Sequence, residues 1–266
     1  MVQYIHKDTI VPIIVYHINI KLSRGDCLML KVILFDLDGT LLPMDQDAFT
    51  KAYFKCLSEF LVPFGYEPEE LIDEVCQGTY AMVKNRGEKT NESVFWETFT
   101  KKYVNAVQDK PLFDKFYLTK FEDLKSACGF DNRVSGLIQL LKSKGFTLVL
   151  ASNPIFPKVA QESRMRWAGL DIHDFDYITC YENSSYCKPN PDYYTAITKA
   201  LSVAPEECLM VGNDVDEDMV AESIGMKVFL LTNCLINKGR KNISVYPKGN
   251  LEQLLRYLEE GRKYGK

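Results

Sequence analysis

The four-residue run Val32-Ile33-Leu34-Phe35 carries no polar side-chain atom and leads straight into Asp36-Leu37-Asp38-Gly39-Thr40. A strand that is apolar on both faces belongs in the interior of a parallel sheet covered on both sides. In such open sheets, ligands bind beyond the carboxyl ends of the strands. The same kind of run recurs at wide intervals, over Thr147 to Ala151, Tyr177 to Cys180, Cys208 to Val211 and Lys227 to Leu231. Between them lie helical patterns over Arg133 to Lys144, ended by Gly145, and over Asp192 to Leu201 and Val215 to Ser223. Strands alternating with helices predict an α/β fold, a doubly wound parallel sheet.

The stretch from residue 47 to 129 breaks that alternation. Ala48, Phe49, Ala52, Tyr53, Leu57, Phe60 and Leu61 recur at helical spacing, and similar patterns run through Glu69 to Lys84, Ser93 to Val107 and Leu112 to Ser126. This predicts an all-helical domain (47–129) inserted into a core formed by residues 29–46 and 130–266. A hydrophobic content of 46% is enough to bury both. Residues 1–28 carry no motif. They are expected to be an extension ahead of a natural start at Met29, with an added edge strand as the alternative. The run Ile10 to Ile20 is too short to cross a membrane. A net charge of -4 gives no reason to expect nucleic acid as a partner. None of the eight cysteines forms a CxxC pair, which suggests reduced thiols in a cytoplasm.

The strand ends carry the chemistry. The first delivers Asp36 and Asp38, and the second Ser152 and Asn153. The loop after the third carries Lys188, and the fourth ends in Gly212-Asn213-Asp214, with Asp216 and Asp218 beyond. Two carboxylates two residues apart repel each other unless a cation or a shared proton intervenes. Magnesium, with hard oxygen ligands and a further carboxylate from the fourth strand, resolves this, and it usually binds substrate phosphate as well. The Ser152 hydroxyl and the Lys188 ammonium suit phosphate oxygens. Gly39 permits a turn tight enough for backbone amides to approach a phosphate.

In these residues the chain resembles the haloacid dehalogenase superfamily, in its phosphatase branch. Asp36-Leu37-Asp38-Gly39-Thr40-Leu41-Leu42 matches the first motif, Ser152 the second, Lys188-Pro189 the third, and Gly212 to Asp218 the acidic fourth. The resemblance implies a Rossmann-like core with a helical cap between the first two motifs. It also implies magnesium-dependent hydrolysis of a small phosphorylated metabolite through an aspartyl-phosphate. Asp36 would be the nucleophile and Asp38 the general acid and base. Thr40, Ser152, Asn153 and Lys188 would bind phosphate. Asp36 and Asp38 would bind metal, together with one or more of Asn213, Asp214 and Asp218. The family commonly has aspartate where Asn213 stands, so either Asn213 gives an amide oxygen or Asp214 takes that position, with Asp218 fixing a metal-bound water or pairing with Lys188. Asp38 argues against a dehalogenase. A phosphomutase, a phosphonate hydrolase and a non-catalytic phosphate sensor are the alternatives. Substrate choice would lie in the cap, where Phe95, Trp96 and Phe99 read as packing residues.

Overall fold

The computed structural model describes residues 30–104 and 106–263. The expectation for residues 1–28 lies outside the described residues.

The central strand β1 (Val32–Phe35) pairs in parallel with β2 (Thr147–Leu150) on one side and β4 (Cys208–Gly212) on the other. Beyond these lie β3 (Tyr177–Ile178), β5 (Lys227–Leu231) and β6 (Lys248–Gly249), in the order β3-β2-β1-β4-β5-β6, with every pairing parallel. Successive side chains of a strand point to opposite faces, and the core divides accordingly. Ile33, Phe35, Leu148, Leu150, Leu209 and Val211 pack on one face, under α5 (Arg133–Ser143) and α8 (Leu251–Lys263). Val32, Leu34, Val149, Met210 and Val228 pack on the other, under α7 (Pro191–Leu201).

The insertion after β1 holds α1 (Gln46–Leu61), α2 (Pro68–Val83), α3 (Asn91–Phe99), α4 (Ala106–Leu118) and a 3-10 helix over Lys120–Ala127. Asp45 and Thr90 cap α1 and α3 by accepting from the Ala48 and Ser93 amides. The two chain segments that join cap to core pair with each other. Met44 bridges Cys128, and the Gly129 amide donates to the Pro43 carbonyl at 2.6 Å.

The fold is therefore the expected α/β sheet with an all-helical insertion, and three local readings need correction. The helix expected over Ser93 to Val107 ends at Phe99. The helix expected over Val215 to Ser223 is a turn followed by a 3-10 helix over Met219–Ile224. There the Asp214 carboxylate accepts from the Asp216 and Glu217 amides, offering the backbone an alternative to helical bonding. Finally, α6 (Lys158–Trp167) was not foreseen, because its buried face includes Gln161, Ser163 and Arg164 and so lacks an apolar period.

Candidate active site

Leu37, Leu41 and Leu42 are fully buried beneath the loop that follows β1, and the Leu37 carbonyl accepts from the amides of Thr40, Leu41 and Leu42. This winds Asp36 to Thr40 into a compact turn. Gly39 has φ +85°, and a Cβ there would lie 2.4 Å from Asn213 Nδ2, so only glycine fits.

Asp36, at the end of the central strand, is the hub. Lys188 Nζ donates to Asp36 Oδ1 at 2.9 Å and to Asp218 Oδ1 at 2.6 Å, with its own side chain fully buried. Burial alone would push the Lys188 ammonium down, but the Asp218 and Asp36 carboxylates outweigh it and hold the group well above the usual lysine range. Burial raises Asp218 to about 6, with the Lys188 charge offsetting part of the effect. Gly212 makes room for this pair, because a Cβ there would meet Asp218 Oδ2 at 2.1 Å.

On the other side of Asp36, Thr40 Oγ1 lies 3.1 Å from Asp36 Oδ2 and 2.9 Å from Asn213 Oδ1. Asn213 is oriented by Nδ2, which donates to the Cys234 carbonyl. Two acceptor oxygens thus converge on a hydroxyl that has a single proton. The Asp214 carboxylate instead serves its own turn. Of the three fourth-strand candidates, Asn213 comes to the Thr40 side of Asp36, Asp218 to Lys188, and Asp214 to neither.

Ser152 is buried just beyond β2, and the hydroxyls of Thr179 and Tyr193 donate to its carbonyl at 2.8 and 2.9 Å. Asn153 braces the loops with its side chain: Oδ1 accepts from the Lys188 amide and Nδ2 donates to Glu217, both at 3.2 Å. Glu217 is pushed up to about 8, first by burial and then, against the opposing pull of Lys188, by the carboxylates of Asp218, Asp214 and Asp36.

Asp38 has a partner that sequence reasoning missed. Arg164 of α6, 1% exposed, forms an ion pair with Asp38 Oδ2 and stacks 4.5 Å from the Phe156 ring centroid. Burial holds the Asp38 carboxyl above the usual range, with the Arg164 charge offsetting part of that rise. Its Oδ1 is buried without a hydrogen-bond partner. No motif marks Arg164. The only signal is a charged residue one helical turn from Ala160 and three residues before Trp167, both of them buried.

A cavity of about 530 Å³ opens above Asp38, between the cap helices and the core loops that carry Asn153, Phe156, Tyr181 and Glu217. Phe95 and Trp96 line it, whereas Phe99 is fully buried in the cap as expected.

The donor set fits a magnesium ion. Asp36, Asp38 and Asp218 contribute three carboxylates to ion pairs with two cations, Lys188 and Arg164. A phosphate dianion would add further negative charge to a buried site that is already short of cations. Among the described residues, no three His, Cys, Asp or Glu side chains cluster as a ready-made metal cage. Magnesium needs none, since it binds through one or two carboxylates, waters and substrate phosphate.

Comparison with known proteins agrees with this geometry. The family model for haloacid dehalogenase-like hydrolases matches residues 30–225. Glyceraldehyde 3-phosphate phosphatase of Methanothermobacter thermautotrophicus is 27% identical over 218 residues, covering 81% of this chain and 91% of that protein. Phosphoglycolate phosphatase of Aquifex aeolicus is 28% identical over 193 residues, covering 72% and 79%. Among solved structures, a phosphatase of the same superfamily from Thermococcus onnurineus superposes with a TM-score of 0.51 at 21% identity, over 88% of this chain and 97% of that one. An L-2-haloacid dehalogenase superposes at 0.54 and 17%, over 87% and 99%, so backbone similarity alone does not separate the two chemistries. The chain belongs to the haloacid dehalogenase-like hydrolase family, and both curated relatives described above are named as phosphatases.

Proposed function

We propose that this hydrolase is a magnesium-dependent phosphatase that cleaves a small phosphomonoester through an aspartyl-phosphate on Asp36. The observation that carries the reading is the placement of two carboxylates. Asp36 lies on the central strand end, held by Lys188 and Thr40, and Asp38 lies two residues on, at the floor of the cavity.

Asp36 attacks phosphorus, and the bond to the leaving oxygen breaks as the aspartyl-phosphate forms. Asp38, whose carboxyl burial holds above the usual range, gives its proton to the leaving alcohol and then takes one from the attacking water. Arg164 fixes the Asp38 carboxylate through Oδ2, and Oδ1, which has no hydrogen-bond partner, is the oxygen left for proton transfer. Lys188 supplies fixed positive charge where negative charge develops on the phosphoryl oxygens. The Thr40 and Ser152 hydroxyls hold those oxygens. The Asn153 side chain is committed to bracing, so its backbone amide is the group left for phosphate. Asp36, the Asp38 carbonyl and Asn213 Oδ1 would hold magnesium, which would supply charge neutralisation for the phosphoryl group. Among the described residues no helix is long and apolar enough to span a membrane, and the free cysteines suit a reducing cytoplasm.

A phosphate-release assay on the purified protein with and without magnesium tests this. Turnover that needs magnesium and vanishes in Asp36→Asn is expected. Turnover that survives Asp36→Asn overturns the assignment.

A further inference from the structure

The cavity above Asp38 has a lining that does not suit phosphoglycolate, the substrate for which one curated relative is named. Its wall is built from cap and core together, with the rings of Phe49, Tyr53, Trp96, Phe113, Tyr117 and Phe156 around it. The rings hold one another in edge-to-face contacts. Tyr53 meets Phe156 at 5.4 Å and 84°, and Trp96 meets Phe113 at 5.3 Å and 88°. Such pairs are favourable and resist rearrangement. The Tyr53 and Tyr117 hydroxyls lie 2.9 Å apart with one donating to the other, so part of their polarity is used within the wall.

Among the described residues no lysine, arginine or histidine lines the cavity, whereas Asp38, Asp114 and Glu217 do. The Arg164 guanidinium stacks on the Phe156 ring and is committed to Asp38 and Gln161. A leaving group bearing a carboxylate would therefore enter an apolar space with no counter-charge and with carboxyl groups already in its wall. Burying an unpaired charge in that way is strongly unfavourable. An uncharged hydrocarbon or ring would instead gain from every surface it covers. The volume lies in the range of small-molecule sites and far exceeds what a two-carbon acid fills.

We infer that the preferred substrate is a phosphate monoester of an uncharged alcohol bearing an aromatic ring, with the ring in this cavity and the phosphate at Asp36. This rests on the phosphatase reading of the site and adds the class of leaving group. The leaving oxygen would lie between phosphorus and Asp38 Oδ1, and the ring would extend away from the metal side toward α2 and α3.

The test compares kcat/KM for 2-phenylethyl phosphate, phosphoglycolate, glyceraldehyde 3-phosphate and phosphocholine. The first is an ester of an aliphatic alcohol, so an activated phenol leaving group cannot mimic recognition. It is expected to exceed each of the others by at least about 10-fold, as hydrophobic pockets discriminate. Thr79→Lys places a cation in the wall without touching the catalytic groups, and it should narrow or invert the preference over phosphoglycolate. In parallel, calorimetry with magnesium should show 2-phenylethylphosphonate binding more tightly than phosphonoacetate. If phosphoglycolate, glyceraldehyde 3-phosphate or phosphocholine is the best substrate, the inference is overturned, while magnesium-dependent turnover through Asp36 keeps the proposed function. If nothing is hydrolysed yet the arylalkyl phosphonate binds preferentially, the phosphatase reading fails and the cavity assignment stands. Equal or weaker binding of that phosphonate overturns the assignment.

Discussion

Replacing Arg164 with methionine keeps most of the side-chain volume and deletes the cation that, among the described residues, forms an ion pair with Asp38. Arg164 is 1% exposed and the Asp38 side chain 19%, so water screens the pair little. An opposite charge within a few ångströms lowers a carboxylate by about 1–3 pKa units, each equivalent to about 1.4 kcal/mol, so its loss removes about 1.4–4 kcal/mol of interaction with ionised Asp38. That range overlaps the cost of about 3–5 kcal/mol for breaking a buried pair by removing one partner. The sign with pH follows from protonation. Burial already holds folded Asp38 above its unfolded value, and loss of Arg164 raises it further. The variant then escapes the charge penalty by keeping the proton. Its destabilisation should be smallest near the unfolded carboxylate value of about 4 and should grow with pH until Asp38 ionises in the folded state. Urea unfolding of both proteins across that range measures the difference. In the kcat profile, the second step needs ionised Asp38, so the acidic limb should move up by about 1–3 pH units. A destabilisation that is the same at every pH, with an unmoved limb, would refute the assignment of Arg164 as the partner that tunes Asp38.

Three further outcomes follow from the same geometry. Gly39→Ala must adopt φ +85° and push Asn213 aside, at a cost of about 1–2 kcal/mol for the left-handed backbone alone; magnesium-dependent kcat should collapse while circular dichroism stays native. Asn213→Leu should weaken magnesium activation at least about tenfold, whereas Asp214→Ala, which loses two backbone hydrogen bonds, should cost about 1–3 kcal/mol of stability with little change in the magnesium titration; the reverse pattern would give the metal to Asp214. Asn91 is fully buried at the start of α3 and donates to the Pro154 carbonyl and Cys187 Sγ in the core, so Asn91→Leu should loosen cap closure and raise KM more than it lowers kcat.

How far the sequence went depends on how local each signal is. The sheet was legible because β1, β2, β4 and β5 are continuous apolar runs, and the cap because its helices repeat an apolar period. Asp36, Lys188 and Asp218 were legible as residues at or beyond strand ends, and the structure brings both carboxylates within hydrogen-bond distance of Lys188, across 152 and 30 residues of chain. What could not be read is what depends on direction. The choice between Asn213 and Asp214 turns on which neighbouring amide each side chain bonds, which spacing does not encode. Arg164 was invisible because a buried arginine breaks the apolar period that would have revealed its helix. Phe95 and Trp96 were read as packing residues, and they are that. The cavity they also line is formed by cap and core residues together, which spacing along one helix does not reveal.

The central claim is covalent transfer to Asp36, and the stereochemistry at phosphorus tests it most directly. Hydrolysis of an isotopically chiral phosphate monoester in isotopic water reports how many displacements occur. Two in-line steps, onto Asp36 and then onto water, predict net retention of configuration. Net inversion would mean that water attacks the substrate directly, and the nucleophilic role of Asp36 would be contradicted.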